Sequence, residues 1–258
     1  MAKLKKPAGV AGAGSPFLAG LAAIVMLWQL GSWVVGTALI LPPPLTVLKK
    51  LLPLVKSPVF LSALAATFCR LLLGMAISLP AGVICGLIAG LDRRAAGFFR
   101  PFFSIIAATP VMSVILIAFL AFGAEKTPVF TAFLMIFPVI TANTIAGIQS
   151  VDPKLKELVK IYDFSRGQKL KYLYLPSILP FLAGGLRSAL SLGWKVVVAA
   201  EVLVQPLSAL GSGMQRAKAN LETTELFAWT AATIIACALT EAAFTVLFNR
   251  ASRFLHLC

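Results

Sequence analysis

Long apolar runs, each of about 20 residues or more, occupy most of this 258-residue chain. A run of this length can cross the lipid hydrocarbon as a helix, which satisfies its own backbone hydrogen bonds there. The chain is 59% hydrophobic and its mean hydropathy is +0.94, which excludes a soluble globular domain. We therefore predict an all-α, polytopic membrane protein with about six transmembrane helices, at Phe17–Ile40, Ala63–Leu91, Phe98–Phe122, Pro128–Ile148, Ser177–Val204 and Phe227–Phe248.

The distribution of Lys and Arg predicts the orientation of these spans. If the N-terminus lies inside, the inner loops hold 14 of the 23 basic residues and the outer side holds 7, with Arg187 and Lys195 inside the fifth span. Basic residues concentrate in cytoplasmic loops, so both termini are predicted to be cytoplasmic. We expect residues 1–16 and 251–258 to be tails and residues 17–250 to form one transmembrane domain. The location is then the cytoplasmic (inner) membrane, and the net charge of +14 needs no nucleic-acid partner.

No enzymatic or metal-binding constellation is visible in the sequence. The four cysteines lack CxxC spacing, and the single histidine, His256, lies beside the C-terminus. Paired catalytic carboxylates and a phosphate-binding GxxxxGK[ST] loop are also absent from the sequence. We therefore expect a protein that is not an enzyme and has no cofactor, and any ATP-driven work must be done by another polypeptide.

One polar stretch, Asp152–Pro180, interrupts the apolar sequence between the fourth and fifth spans and carries six basic residues. It opens with Asp-Pro, which favours a helix start. Apolar residues then recur at i, i+3, i+4 and i+7, so one face of this helix is apolar: Leu155, Leu158, Val159 and Tyr162. Such a helix is either a docking element for a soluble partner or a segment lying on anionic lipid, and the local sequence leaves both open.

Polar residues inside the spans are candidates to line a translocation path, because ionisable groups in a bilayer usually face water, a partner or the bundle interior. The candidates are Thr109, Pro110, Asn143, Lys195 and Glu201. The alternative is that they pair across helices or lie nearer the membrane surface. In the second span, Gly74, Gly82, Gly86 and Gly90 form a stripe that predicts close helix packing.

The central stretch resembles the cytoplasmic loop of ABC importer permeases, whose pattern is E-A-A-x3-G-x9-I-x-L-P. Glu157 takes the glutamate position, and Leu173, Leu175 and Pro176 match the close of the pattern. Leu158 and Val159 replace the two alanines, and Asp163 replaces the glycine. The flanking segments are similar to the nitrate, sulfonate and taurine subgroup: LPPPLTVL at 41–48, the segments at 67–94 and 108–123, NTIAGIQSVDPKL at 143–155, LPSILPFLAGGLRSAL at 175–190 and AAEVL at 199–203.

The resemblance implies a type I importer permease with a cytoplasmic coupling loop at 150–176. Its implied partners are cytoplasmic ATPase subunits, an extracytoplasmic solute-binding protein and a second permease subunit, expected as a homodimer. The helix at 153–167 would enter a groove on the ATPase through Leu155, Glu157, Leu158, Val159 and Tyr162, with the following turn at Asp163 or, shifted, at Gly167. The solute would be small, such as nitrate, a sulfonate, taurine or a vitamin precursor, and selected largely by the binding protein.

A second hypothesis comes from another class of transporter. An ion- or proton-coupled secondary transporter would use the intramembrane groups Lys195, Glu201 and Glu241. It would need no ATPase, and it predicts an internal two-fold repeat that the sequence does not display.

Overall fold

The computed structural model describes residues 14–254, and within that range every regular element is a helix. Of the predicted tails, residues 1–13 and 255–258, which include His256 and Cys258, fall outside the described residues, whereas residues 14–16 and 251–254 lie in helices. The helices are α1 (Gly14–Val35), α2 (Pro44–Lys56), α3 (Pro58–Leu91), α4 (Arg93–Ala108), α5 (Val111–Gln149), α6 (Pro153–Ile161), α7 (Arg166–Lys169), a π-helical turn (Leu170–Tyr174), α8 (Leu175–Val204), α9 (Leu210–Ala219) and α10 (Thr223–Phe254). The predicted all-α class is confirmed.

Four of these helices are long and apolar enough to cross a membrane: Pro16–Val35 within α1, all of α3, all of α5, and Thr223–Phe248 within α10. The 39-residue α5 is two helices joined at Gly123, whose φ of 73° is a left-handed value that favours glycine. The chain also breaks at Thr109–Pro110, between α4 and α5, because proline cannot continue α4, so the third predicted span is not one helix. The 30-residue α8 is long enough to span but is not among the four.

The core of the molecule lies where α3, α5 and α8 pack together. Trp194, Leu71 and Ile136 are almost completely buried there. The predicted glycine stripe of α3 faces α5: a Cβ at Gly74, Gly82 or Gly86 would lie 2.5 to 2.7 Å from a side-chain atom of α5. These glycines therefore let the two helix backbones approach closely.

The segment between α8 and α10, which separates the fifth and sixth predicted spans, contains a further helix. Residues 210–219 form α9, whose Leu210, Gly211 and Gly213 are buried. A Cβ at Gly211 would lie 2.5 Å from the Cβ of Glu201, and one at Gly213 would lie 2.6 Å from the Trp229 ring. The segment is thus folded back into the helical bundle rather than extending away from it.

The helix α2, which lies between the first two predicted spans, is fixed to the start of α10 by an ion pair. Lys50 Nζ lies 3.0 Å from a carboxylate oxygen of Glu225 and 3.6 Å from one of Glu222. The hydrogen bond to Glu225 raises the pKa of Lys50, and partial burial of the amine opposes that rise. Because Lys50 stays 45% exposed, solvent screens this pair, and it positions α2 more than it stabilises the fold.

Candidate functional site

The polar stretch forms a compact helical element between α5 and α8. Asp152 caps α6 by accepting a hydrogen bond from the Lys154 backbone at 2.8 Å, and Pro153 occupies the first turn. Ser165 caps the next helix reciprocally with Gln168. From Arg166 the chain is helical without a break into α8. A displacement of this element would therefore act directly on the long helix α8.

The sharp turn after α6 lies at Asp163 itself. Asp163 has a φ of 51°, the left-handed conformation that glycine adopts at no steric cost. The Phe164 backbone N–H donates to the Val159 carbonyl at 3.1 Å and closes the turn. Gly167 is an ordinary residue of α7, with nothing within 4 Å of where its Cβ would stand. The turn is therefore formed without glycine and is not shifted toward Gly167.

This geometry predicts that Asp163→Gly stabilises the turn after α6 by about 1 kcal/mol, since it removes the steric cost of a left-handed non-glycine residue. Slower amide hydrogen exchange at Phe164 would show this stabilisation. The matched control is Gly167→Ala, where a helical conformation favours alanine by about 1 kcal/mol. Faster exchange at Phe164 in Asp163→Gly would contradict the prediction.

The face of α6 that carries exposed apolar side chains differs slightly from the predicted face. Leu155 and Leu158 are about half exposed, while Ile161 and Tyr162 are 80% and 70% exposed. Val159, predicted to share this surface, is only 7% exposed because it packs with Val151 and Leu173 beneath the helix. We call Leu155, Leu158, Ile161 and Tyr162 the docking face. Ile161 was missed by sequence reasoning, although it lies three residues after Leu158.

Lys156, Glu157 and Lys160 lie beside that face, whereas Lys154, four residues before Leu158, lies on it. Glu157, Lys154, Lys156 and Lys160 are all exposed. Within residues 14–254, the ion pairs formed involve only Lys50 and Arg70 as cations, so the α6 charges are free of intrachain partners. The element thus presents an apolar surface bordered by charges that are available to a partner.

A buried polar network lies at the other end of α8. Glu201 is completely buried and bonds through both carboxylate oxygens. Its Oε1 accepts from Arg70 Nη1 at 2.9 Å, and its Oε2 accepts from Thr67 Oγ1 at 2.9 Å and from the Gly211 backbone at 3.3 Å. Glu201 was one of the candidates to line a translocation path. In the structure it pairs with groups on other helices, which is the alternative interpretation given with that prediction.

Arg70 extends this network to a second carboxylate and to the loop after α8. Its Nη2 contacts Glu125 beside the Gly123 kink, and its Nη1 also donates to the Ser208 carbonyl at 2.9 Å. Glu125 in turn accepts from the Leu207 backbone at 3.0 Å. We call Thr67, Arg70, Glu125 and Glu201 the clamp. It joins α3, the α5 kink, α8 and the loop that follows α8.

Sequence reasoning found only Glu201 among the clamp residues. Arg70 was counted with the outer charges, and Thr67 and Glu125 were not considered. A signal was present: Arg70 lies early in the second span and Glu201 late in the fifth, so antiparallel spans place them at similar depth. Opposite charges at one depth in neighbouring spans are expected to pair.

The remaining path candidates are dispersed in the structure. Thr109 ends α4 and donates to the Ile105 carbonyl at 2.7 Å, and Pro110 precedes α5. Asn143 is half-buried, donates to the Val139 carbonyl at 2.8 Å and abuts Gly185. Lys195 is exposed on α8. No hydrogen bond or ion pair among the described residues joins any two of the five candidates.

Three comparisons with known proteins bear on this arrangement. The family model described as "Binding-protein-dependent transport system inner membrane component" matches residues 78–256. The chain is 30% identical over 241 residues to the taurine transport system permease protein TauC of Escherichia coli strain K12, covering 89% of this chain and 86% of that protein. It is 29% identical over 210 residues to the putative aliphatic sulfonates transport permease protein SsuC of Bacillus subtilis strain 168, covering 80% and 75%.

A solved structure shares the fold. A chain from the crystal structure of a bacterial alginate ABC transporter, in complex with an alginate pentasaccharide-bound periplasmic protein, aligns with a TM-score of 0.62. The alignment covers 93% of this chain and 94% of that chain at 16% sequence identity, so it shows a common fold and no more.

Proposed function

Because this chain belongs to the family of inner membrane components of binding-protein-dependent transport systems, we propose that it is the subunit that forms the solute path of an ATP-driven importer and is driven by a separate ATPase. The family membership confirms the resemblance drawn from the sequence.

We propose that six spans cross the membrane, with both termini cytoplasmic. They are α1, α3, α4 with the first part of α5, the rest of α5 after Gly123, α8 and α10. The two-to-one excess of basic residues on the side of α6 supports this orientation. Residues 17–250 are then one permease domain, and the loop at 150–176 faces the cytoplasm. A second copy of the chain completes the path, and an extracytoplasmic binding protein delivers the solute.

The observation that carries the coupling proposal is the docking face of α6. Four apolar side chains, Leu155, Leu158, Ile161 and Tyr162, are exposed on a capped helix placed between spans. An amphipathic helix that leaves its apolar face uncovered is suited to enter a hydrophobic groove on a partner. Val159 supports this helix from within the chain, and the surrounding lysines steer the encounter.

The solute we propose is a small oxyanion such as a sulfonate. The two curated relatives described above are named for taurine and for aliphatic sulfonates. The sequence resemblance also implied nitrate or a vitamin precursor as the solute.

The test is association of this chain with the ATPase subunit of the importer. Leu158→Asp places a charge on the docking face, and we expect binding to weaken at least about thirtyfold, as for loss of an interface residue contributing about 2 kcal/mol. Co-purification from detergent measures the association with the ATPase, and solute-stimulated ATP hydrolysis in proteoliposomes measures the coupling. Leu158 is about half exposed, so the variant is expected to insert and fold normally.

The matched control is Leu207→Asp, the same change at a leucine that is 95% exposed on the loop after α8. That loop lies on the opposite side of the membrane in the proposed topology, so ATPase association should be unchanged. Full association and transport by Leu158→Asp would refute the docking proposal and leave α6 as an element of the membrane surface.

A further inference from the structure

The helix α8 carries an exposed polar stripe in the middle of its length. Gly184, Ser188, Ser191, Lys195 and Ala199 recur at i, i+4, i+7, i+11 and i+15, which places them on one side of the helix. All are exposed except Ser191, which is half-buried. Arg187 is exposed beside them, about 12 Å along the axis from Lys195. We call Gly184, Arg187, Ser188, Ser191 and Lys195 the α8 stripe.

The composition of this stripe does not suit contact with lipid. The exposed side of α3 has the apolar composition that contact with lipid hydrocarbon requires. Its exposed side chains include Leu72, Leu73, Ile77, Ile84 and Ile88. By contrast, the α8 stripe contains two cations and two hydroxyl groups, and the aliphatic residue in line with it is the small Ala199. Charged groups at membrane depth face water or protein partners rather than lipid chains. The described residues provide neither Arg187 nor Lys195 with an ion-pair partner.

An open groove adjoins the stripe between α8 and α10. Its volume is about 600 Å³, and Lys195, Trp194, Cys237 and Glu241 are among the residues that line it. Glu241 is half-buried and accepts from the Cys237 thiol at 3.5 Å. Lys195 and Glu241 share the groove without forming an ion pair. The stripe and groove together hold two cations against one carboxylate, so the local field is positive.

We propose that the α8 stripe lines the solute path and that Lys195, assisted by Arg187, attracts a solute bearing an oxyanion group. This inference rests on the proposed function and adds to it a selecting surface within the membrane subunit itself. A positive surface in a cleft with low-dielectric walls concentrates anions and speeds their entry. Glu241 across the groove is placed to accept a hydrogen bond from a positively charged end of a zwitterionic solute.

The test measures how fast an engineered thiol in the stripe reacts with small charged reagents. Ser191→Cys is made in the full-length chain with its four native cysteines replaced by alanine, and it is reconstituted with the ATPase in proteoliposomes. The probes are 2-sulfonatoethyl and 2-trimethylammonioethyl methanethiosulfonate, with rates normalised to those for free 2-mercaptoethanol. We expect the sulfonate probe to react about tenfold faster. Adding Lys195→Gln should reduce that ratio at least about threefold.

Gly184→Cys is a second reporter, since nothing lies within 4 Å of its Cβ position and the substitution cannot disturb packing within the chain. Ile84→Cys, on the lipid-facing side of α3, is the control and should react with neither probe. Failure of both stripe thiols to react, with or without ATP, would overturn the placement of the stripe in an aqueous path. Equal rates for the two probes, or a ratio unchanged by Lys195→Gln, would overturn anion selection. The labelling does not depend on the docking face, so it can succeed or fail independently of Leu158→Asp.

Discussion

Replacing Arg70 with methionine is expected to lower the free energy of unfolding by about 3–5 kcal/mol, because removing one partner leaves a buried charge without compensation. Glu201 is completely buried, and the Arg70 guanidinium is the cation that faces it, at 2.9 Å. The change would also leave the Ser208 carbonyl without its donor. Unfolding in mixed micelles, followed by tryptophan fluorescence against denaturant, measures the loss.

Two further variants separate the buried pair from the rest of the clamp. Glu125→Gln removes the other carboxylate, whose side chain is 55% exposed, and should cost less than about 1 kcal/mol. The double variant Arg70→Met/Glu201→Leu should be more stable than Arg70→Met alone, because replacing both members of a buried pair by apolar groups is often nearly neutral. If Arg70→Met were as mild as Glu125→Gln, the clamp would not be a stabilising element.

The clamp and the docking face lie at the two ends of α8. The chain is helical from Arg166 to Val204, so α6 and its turn connect through one continuous element to Glu201. The π-helical turn before Pro176 is the irregular point of this element, where the Leu175 N–H bonds to the Leu170 carbonyl. A partner acting on α6 would therefore move a helix that is held at its far end by buried polar bonds.

The parts of this molecule that could be predicted from sequence are those set by local pattern. Helical periodicity placed α6 and its capped start, and apolar run length placed α3 and α8. The first predicted span, in contrast, extends to Ile40, whereas α1 ends at Val35, and the third predicted span is divided between α4 and α5. The glycine stripe of α3 was also predicted correctly, since small residues at regular spacing have one common use in membrane helices. In each case the information lies within a short stretch of chain, so no knowledge of distant contacts was needed.

The parts that were missed depend on contacts between distant residues. Thr67 and Glu201 are 134 positions apart, and nothing in either local sequence indicates their hydrogen bond. Val159 falls on the apolar face of α6 by periodicity, yet Val151 and Leu173 cover it because the loop folds back. Gly211 lies outside the predicted spans, yet its lack of a side chain lets α9 pack against Glu201. In each case the contacts of the residue are set by distant parts of the chain that bury it.

The second large effect is expected from Gly86→Leu in α3, which should destabilise the fold by about 3 kcal/mol through overpacking. A Cβ at Gly86 would lie 2.5 Å from the Thr144 Cβ and 3.0 Å from the Thr141 carbonyl oxygen. The backbone of α5 cannot yield as a flexible side chain would, so the two helices must separate along their contact. Gel filtration of the detergent-solubilised protein and the same denaturant titration measure the loss.

Gly97→Leu in α4 is the matched control, because Gly97 is exposed and nothing lies within 4 Å of its Cβ position. Leucine favours a helix more than glycine does, so this variant should be as stable as the parent or slightly more stable. The stability of Gly86→Ala should lie between those of Gly86→Leu and Gly97→Leu, because one methyl group requires a smaller separation of α3 from α5. If Gly86→Leu and Gly97→Leu unfold at the same denaturant concentration, the glycine stripe does not hold α3 against α5, and the close approach of the two helices must be maintained by the contacts of α8 with both.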